Sequence, residues 1–371
     1  MTAPGLYVHV PFCRTRCVYC AFCSSTDSGM AGRWLEALAR EAQDSAELTE
    51  AFDTLYIGGG TPSCLDPDQL ETLFRSLHDA FAFDPGAEVT LEANPADLDR
   101  EAAARLAGLG VNRVSLGAQS FDDEVLAFLG RRHRSTDITA AVEALRAGGI
   151  HNLSLDLISA VPGLTAEGWQ HSLQRVVDLE PQHVSCYQLT LEEGTPLAAR
   201  VERGEAALLD EDTAVGQFLA GSTFLAHAGF EHYEVSNFAR GREQRARHNM
   251  KYWTHVPYLG LGPSAHSFDG AVRRWNTADV SRYCELLETE GSAEDGRERL
   301  TPEQLGMERI ALGLRLADGM DVGDLGEDPD AAAVLERCRV LDLVTIDGDR
   351  IRPTREGLLM ADGLARELCS L

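Results

Sequence analysis

The chain has 371 residues, with 33 Lys plus Arg against 59 Asp plus Glu, a formal net charge of −26. Hydrophobic residues at 44 % and charged residues at 25 % exclude wholesale disorder, and the acidity excludes a protein that coats DNA through a basic surface. No apolar run reaches the ~18 residues that span a bilayer, and the start MTAPGLYVHVPFC lacks a secretory signal's basic and apolar segments. A cytoplasmic protein is expected, in which nine cysteines do not build a disulfide framework.

Short β-like runs alternate with longer runs of helical period. Strands are predicted at Leu6–Val10, Thr54–Ile57, Glu88–Glu92, Arg113–Leu116, Leu153–Ile158 and His183–Leu189. Between and after them come helices at Trp34–Ala46, Pro67–Phe81, Asp99–Leu109, Thr136–Ala147, Ala166–Leu179 and Gly204–Ala228, then a strand near His232–Val235. This order predicts an α/β fold with a parallel sheet. Six units are too many for a small flavodoxin-like domain, so a partial (β/α)6-type barrel is expected, with its chemistry at the C-terminal strand ends. The unusual residues fall there: a cysteine run, Gly58–Gly60, Glu92, Gln119 and Asp156.

Three regions follow from the texture: a barrel core over 1–235, a connecting segment over 236–299 rich in Gly, His and aromatics, and a small domain over 300–371. The last carries helices at Pro302–Leu316 and Ala331–Cys338, a hairpin over Leu343–Arg352 turning at Asp347-Gly348, and a final helix over Thr354–Leu368. It reads as a winged-helix-like α+β domain. In so acidic a chain a structural or docking role is expected of it, and no nucleic-acid partner. Lys251 is the sole lysine.

Cys13, Cys17, Cys20 and Cys23 crowd one loop, while Cys64, Cys186, Cys284, Cys338 and Cys369 are scattered. The first three are spaced CxxxCxxC. Three thiolates from one loop can hold three corners of a [4Fe-4S] cube and leave one iron open. Zinc is the rival for thiolates, but structural zinc sites commonly use two separated pairs, and no second pair is present. The spacing also departs from an all-cysteine ferredoxin site. Cys23 is a fourth ligand, a replacement or a bystander.

CxxxCxxC after a first strand, with Tyr19 before the third cysteine, resembles the signature of the radical S-adenosylmethionine superfamily. The resemblance implies a [4Fe-4S] cluster on Cys13, Cys17 and Cys20 whose open iron chelates S-adenosylmethionine, the source of a 5′-deoxyadenosyl radical in that superfamily. Gly58-Gly59-Gly60-Thr61-Pro62 is similar to its methionine-binding segment. Tyr7-Val-His9-Val-Pro-Phe-Cys13, Leu91-Glu92-Ala93-Asn94-Pro95, Ser115–Phe121 and Leu155–Ile158 resemble the oxygen-independent coproporphyrinogen oxidases and their relatives, a likeness that runs nearly end to end. It implies that Tyr7, Gly59, Gly60 and Thr61 lie against the methionine part and that Glu92 and Arg131 meet its charged groups. It places Gln119 and Asp156 on the ribose and Ile158 on the adenine. Ala160 stands where these relatives usually carry glycine.

The oxidases carry a further cysteine two positions after the third ligand and a sizeable segment before the cluster. Here that position is Phe22, and twelve residues precede Cys13. Both departures, and His248-Asn-Met-Lys-Tyr-Trp253, resemble the sister group of haem chaperones. That resemblance implies haem as cargo, His248 as its candidate ligand, acceptor cytochromes with peripheral membrane contact, and a homodimer. The cluster and S-adenosylmethionine would then be structural or regulatory. The rival is a coproporphyrinogen III oxidase that decarboxylates two propionates by radical chemistry.

Overall fold

The computed structural model describes residues 3–46, 51–326 and 329–369. Six strands run parallel in chain order: β1 (Gly5–Val10), β2 (Phe52–Gly59), β3 (Phe83–Ala93), β4 (Arg113–Gln119), β5 (Asn152–Ser159) and β6 (His183–Gln188). The connections carry α1 (Ala31–Asp44), α2 (Pro67–Ala80), α3 (Arg100–Gly108), α4 (Asp123–Leu129), α5 (Ser135–Ala147) and α6 (Ala166–Asp178). This is the expected (β/α)6 partial barrel.

Its strands have two unlike faces. Leu6, Val8, Val10, Leu55, Ile57, Leu91, Val114, Leu116, Leu155 and Leu157 are buried in the main hydrophobic cluster with the helices. The alternate positions carry Tyr7, His9, Tyr56, Glu92, Ser115, Gln119, Ser154 and Asp156. A strand period of two therefore gives the barrel an apolar outer layer and a polar lumen. Low in the lumen, Arg113 is buried, and His183 bridges Ser154 Oγ (2.8 Å) and Tyr233 Oη (2.8 Å).

Beyond β6 come α7 (Pro196–Glu202), α8 (Glu211–His227) and the antiparallel pair β7 (Glu231–Glu234) and β8 (Asn237–Ala239), which extends the sheet at β6. The helix predicted from Gly204 begins at Glu211. Asp210 caps it by accepting from Thr213 N at 2.8 Å, and Gly204 sits at φ +70° in the preceding turn.

The Gly- and His-rich stretch is more regular than its texture suggests. It forms α9 (Arg247–Trp253), β9 (Tyr258–Leu261), β10 (His266–Phe268), β11 (Val272–Asn276), α10 (Val280–Thr289) and β12 (Glu294–Arg299). β9 runs parallel to β1, pairing Tyr258 with Gly5, and β10 to β12 continue the same sheet antiparallel. The result is one open sheet of twelve strands.

The C-terminal domain holds α11 (Pro302–Gly313), β13 (Met320–Asp321), α12 (Pro329–Val340), β14 (Val344–Asp347) and β15 (Arg350–Pro353), with strand order β13-β15-β14 around a separate core. This is the winged-helix-like arrangement. The last helix is split into α13 (Arg355–Leu359) and α14 (Ala361–Cys369). The domain docks on the β7–β8 edge through Arg315 on Glu234 (2.9 Å) and Arg245 on Asp318 (2.7 Å). Among the described residues no helix is long and apolar enough to cross a membrane.

Candidate functional site: a cysteine-rimmed cavity

A cavity of about 610 Å³ opens at the C-terminal ends of the parallel strands. Cys13, Cys17 and Cys20 line it from the β1–α1 loop, Gly59, Gly60 and Thr61 from β2, and Glu92 from β3. Gln119 and Arg131 line it from β4 and the α4–α5 connection, and Asp156 and Ile158 from β5.

The cysteine loop is closed by backbone bonds from Cys13 N to Ser25 O (2.9 Å) and Ser25 N to Pro11 O (2.7 Å). Cys13 Sγ lies 3.4 Å from Thr61 Oγ1, and Arg131 donates an Nη to Cys17 Sγ at 3.4 Å and another to Gly117 O at 2.9 Å. Burial raises the thiols of Cys13 and Cys20; bound iron would favour their thiolates. Cys23 turns out of the cavity and donates its thiol to Ala278 O at 2.8 Å. Three thiols facing one cavity, with the fourth directed elsewhere, fit a cluster held at three corners. The buried, unpartnered Nε of Arg131 fits an added acceptor beside it.

Two glycines set the backbone approach. A Cβ on Gly60 would lie 2.6 Å from Phe12 O and 2.8 Å from Val10 O, the carbonyls that hold Thr61 N and Gly60 N. Gly59 sits at φ +102°. Glu92 accepts from Tyr56 Oη at 2.7 Å and Gly59 N at 3.2 Å. Burial pushes its carboxyl up to about 7 against the pull of those bonds, and the Asp156 charge adds to the rise. Asp156 is raised too, chiefly by burial, although Ser115 Oγ (2.8 Å) and Ser154 Oγ (3.1 Å) donate to it. The lumen thus presents two carboxyls that resist ionisation and favour a cation.

Gln119 is held at φ +64° and Ala160 at φ +57°, both in the left-handed region. At Ala160 this explains the glycine usual in the related sequences. Its N–H donates to Gln217 Oε1 at 2.7 Å, which holds the turn in place. On the cavity's flank Asp97 pairs with Arg132 (2.7 Å) and Arg14 (3.2 Å) and accepts from Ser63 Oγ (3.0 Å), tying the cysteine loop to β2 and β3.

Two named residues lie elsewhere. Tyr7 is below the cavity, 3.0 Å from His9 Nδ1, and His9 Nε2 reaches Cys23 O at 2.7 Å, so Tyr7 acts on the cysteine loop through His9. His248, the expected haem ligand, is fully buried at the opposite end of the barrel. Its Nδ1 lies 2.9 Å from Thr54 Oγ1, its Nε2 lies 2.8 Å from Tyr252 Oη, and the ring stacks on Tyr56. Burial and the nearby Lys251 charge push it down to about 3, so it is a neutral core imidazole with both nitrogens engaged. Tyr56 and Ser115 were not singled out from the sequence. They share the lumen face with Glu92 and Asp156, and strand alternation is the signal that reaches them.

Residues 7–176 match the radical SAM superfamily and residues 300–360 the HemN C-terminal domain. A heme chaperone HemW from Mycobacterium tuberculosis is 39 % identical, over 98 % of this chain and 94 % of that protein. The chain belongs to the HemW family. A second member, heme chaperone HemW of Synechocystis, is 36 % identical over 93 % of this chain and 84 % of its own length. The mitochondrial radical S-adenosyl methionine domain-containing protein 1 of Mus musculus is 33 % identical over 98 % and 86 %. Among solved structures, the Escherichia coli coproporphyrinogen III oxidase HemN, a radical SAM enzyme, superposes with a TM-score of 0.85 over 100 % of this chain and 91 % of its own, at 23 % identity. HemW-family and oxidase chains thus share one fold. Membership in the superfamily implies a [4Fe-4S] cluster and S-adenosylmethionine binding, and the three thiols and polar lumen suit both.

Proposed function

We propose that this protein is a haem chaperone, which binds haem and passes it to acceptor haemoproteins, respiratory cytochromes among them. The observation that carries this is the end-to-end identity with proteins named heme chaperones. Phe22 supports it: at the position of the oxidases' extra cysteine stands an apolar ring, 67 % exposed on the cavity rim.

Cys13, Cys17 and Cys20 would hold the cluster, and the lumen residues would hold S-adenosylmethionine. When bound, the cluster supplies an open iron position and one-electron chemistry to that ligand. Glu92 is placed to take the ammonium group and ionises as it does so. Arg131 steadies the sulfur of Cys17 and offers its free Nε to a carboxylate. Asp156 and Gln119 read hydroxyls, and Ile158 gives an apolar face to a base. In this reading these residues build a structural or regulatory site, and haem binds elsewhere on the chain.

The test is anaerobic, on protein with an intact cluster. Haem transfer to an apo-cytochrome is followed by its Soret band. In parallel, coproporphyrinogen III, S-adenosylmethionine and a reductant are supplied and the tetrapyrroles weighed by mass spectrometry. Transfer without decarboxylation is expected; doubly decarboxylated product at catalytic turnover overturns the proposal.

A further inference from the structure

A second cavity, of about 1060 Å³, lies at the other end of the barrel, under the N-terminal ends of β1 and β2 and against β9 to β12. Its walls are apolar at Pro4, Leu259, Val272 and Pro257, and they carry three arginines, Arg274, Arg297 and Arg299, against one carboxylate, Asp269. In a chain of net charge −26 this wall is net positive by two.

The arginines are arranged at a cost. Arg274 and Arg297 stand directly opposite each other across the β11–β12 pair, and Arg299 is opposite Val272, so all three share one face. Like charges in such a pair repel. Arg297 is offset by Glu294, which accepts its Nη at 2.8 Å. The side chains of Arg274 and Arg299 make no hydrogen bond or close ion pair among the described residues, though both charges help to lower Asp269 and Arg274 also acts on Glu41. The alternate face of β11 shows the contrast: Arg273 is clamped on Glu308 at 2.9 and 2.8 Å.

The geometry points to this cleft as the seat of the haem cargo, with its two propionates on Arg274 and Arg299 and one face of the macrocycle on the apolar wall. The inference rests on the chaperone reading. An apolar disc bearing two carboxylates matches an apolar cleft whose wall carries two arginines outside any close ion pair. The volume admits a ligand of that size, and the seat lies at the far end of the barrel from the cysteine loop, so cargo and cluster would not compete for space.

The test titrates cluster-loaded protein, anaerobically, with haemin and with haemin dimethyl ester, reading the Soret difference spectrum. Arg274→Gln and Arg299→Gln are each expected to weaken haemin binding about tenfold, and together more. The ester, which has no carboxylates, should bind wild type and variants alike within about twofold. Arg75→Ala on α2 controls for charge alone. The inference is overturned if both variants bind haemin like wild type, or if they lose haemin and ester equally. If wild type itself takes up no haemin to saturation at one equivalent, the chaperone reading falls and the cleft proposal falls with it. Saturable wild-type binding with unaffected variants removes only the cleft.

Discussion

Replacing Glu92 by Gln separates what this residue costs from what it does. In the folded chain its carboxyl ionises at about 7, against an ordinary 4.5. Between those values the unfolded chain has released the proton and the folded chain still holds it. Stability contributed at this position therefore falls as pH rises from 4.5 through 7. The full cost, about 3 kcal/mol, is present above 7. A glutamine carries no charge to bury, and its carbonyl can still accept from Tyr56 or Gly59.

Urea unfolding without S-adenosylmethionine should show the two proteins nearly equal at pH 5, with E92Q the more stable by up to about 3 kcal/mol at pH 8.5. The same substitution should weaken S-adenosylmethionine binding by at least tenfold, because an ammonium group loses its counter-charge. Binding at pH 7 should release about half a proton more from wild type than from E92Q, as the ligand drives Glu92 to ionise. Calorimetry in buffers of different ionisation enthalpy reads that difference. A stability gap independent of pH, or an E92Q less stable at pH 8.5, refutes the argument that desolvation governs this carboxyl.

Gly60→Ala forces a Cβ onto two backbone carbonyls; S-adenosylmethionine binding should drop at least tenfold by equilibrium dialysis, with a stability loss of about 1–3 kcal/mol. Ala160→Gly relieves a left-handed backbone and should raise stability by about 1 kcal/mol, seen as a small upward shift in Tm. His248→Ala leaves Thr54 and Tyr252 without their shared partner. It should cost about 3 kcal/mol in urea unfolding, while the haem difference spectrum of the folded fraction stays that of wild type.

Much of the barrel is legible because its strands are long and two-faced. Leu91-Glu92 or Leu155-Asp156, read with a period of two, already separates helix-packed from lumen residues. The short strands β9 to β12 carry no such signal. A three-residue strand such as His266–Phe268 is too short to show a period, and β9 gains its identity from pairing with β1, which no local pattern reveals. The cysteine spacing and the glycine run predict their neighbours well, since each is needed where backbone meets ligand. Tyr7 and His248 were harder. A tyrosine on a lumen-facing strand position can point up at a ligand or down into the core, and only the side chains around it decide. At Tyr7 the partner is His9, and at His248 the partners are Thr54 and Tyr252.

Lys251 offers a way to watch the barrel open. Its ammonium is buried, 2.6 Å from Asp53 and 2.6 Å from Ala3 O, so it pins the start of β2 to the segment before β1. Because no other lysine exists in the chain, a lysine-directed acylating reagent has one side-chain target, and that target is shielded while the pin holds. The rate at which the side chain becomes modified is then a clock for local opening at the foot of the barrel. Haem seated in the adjoining cleft should slow it.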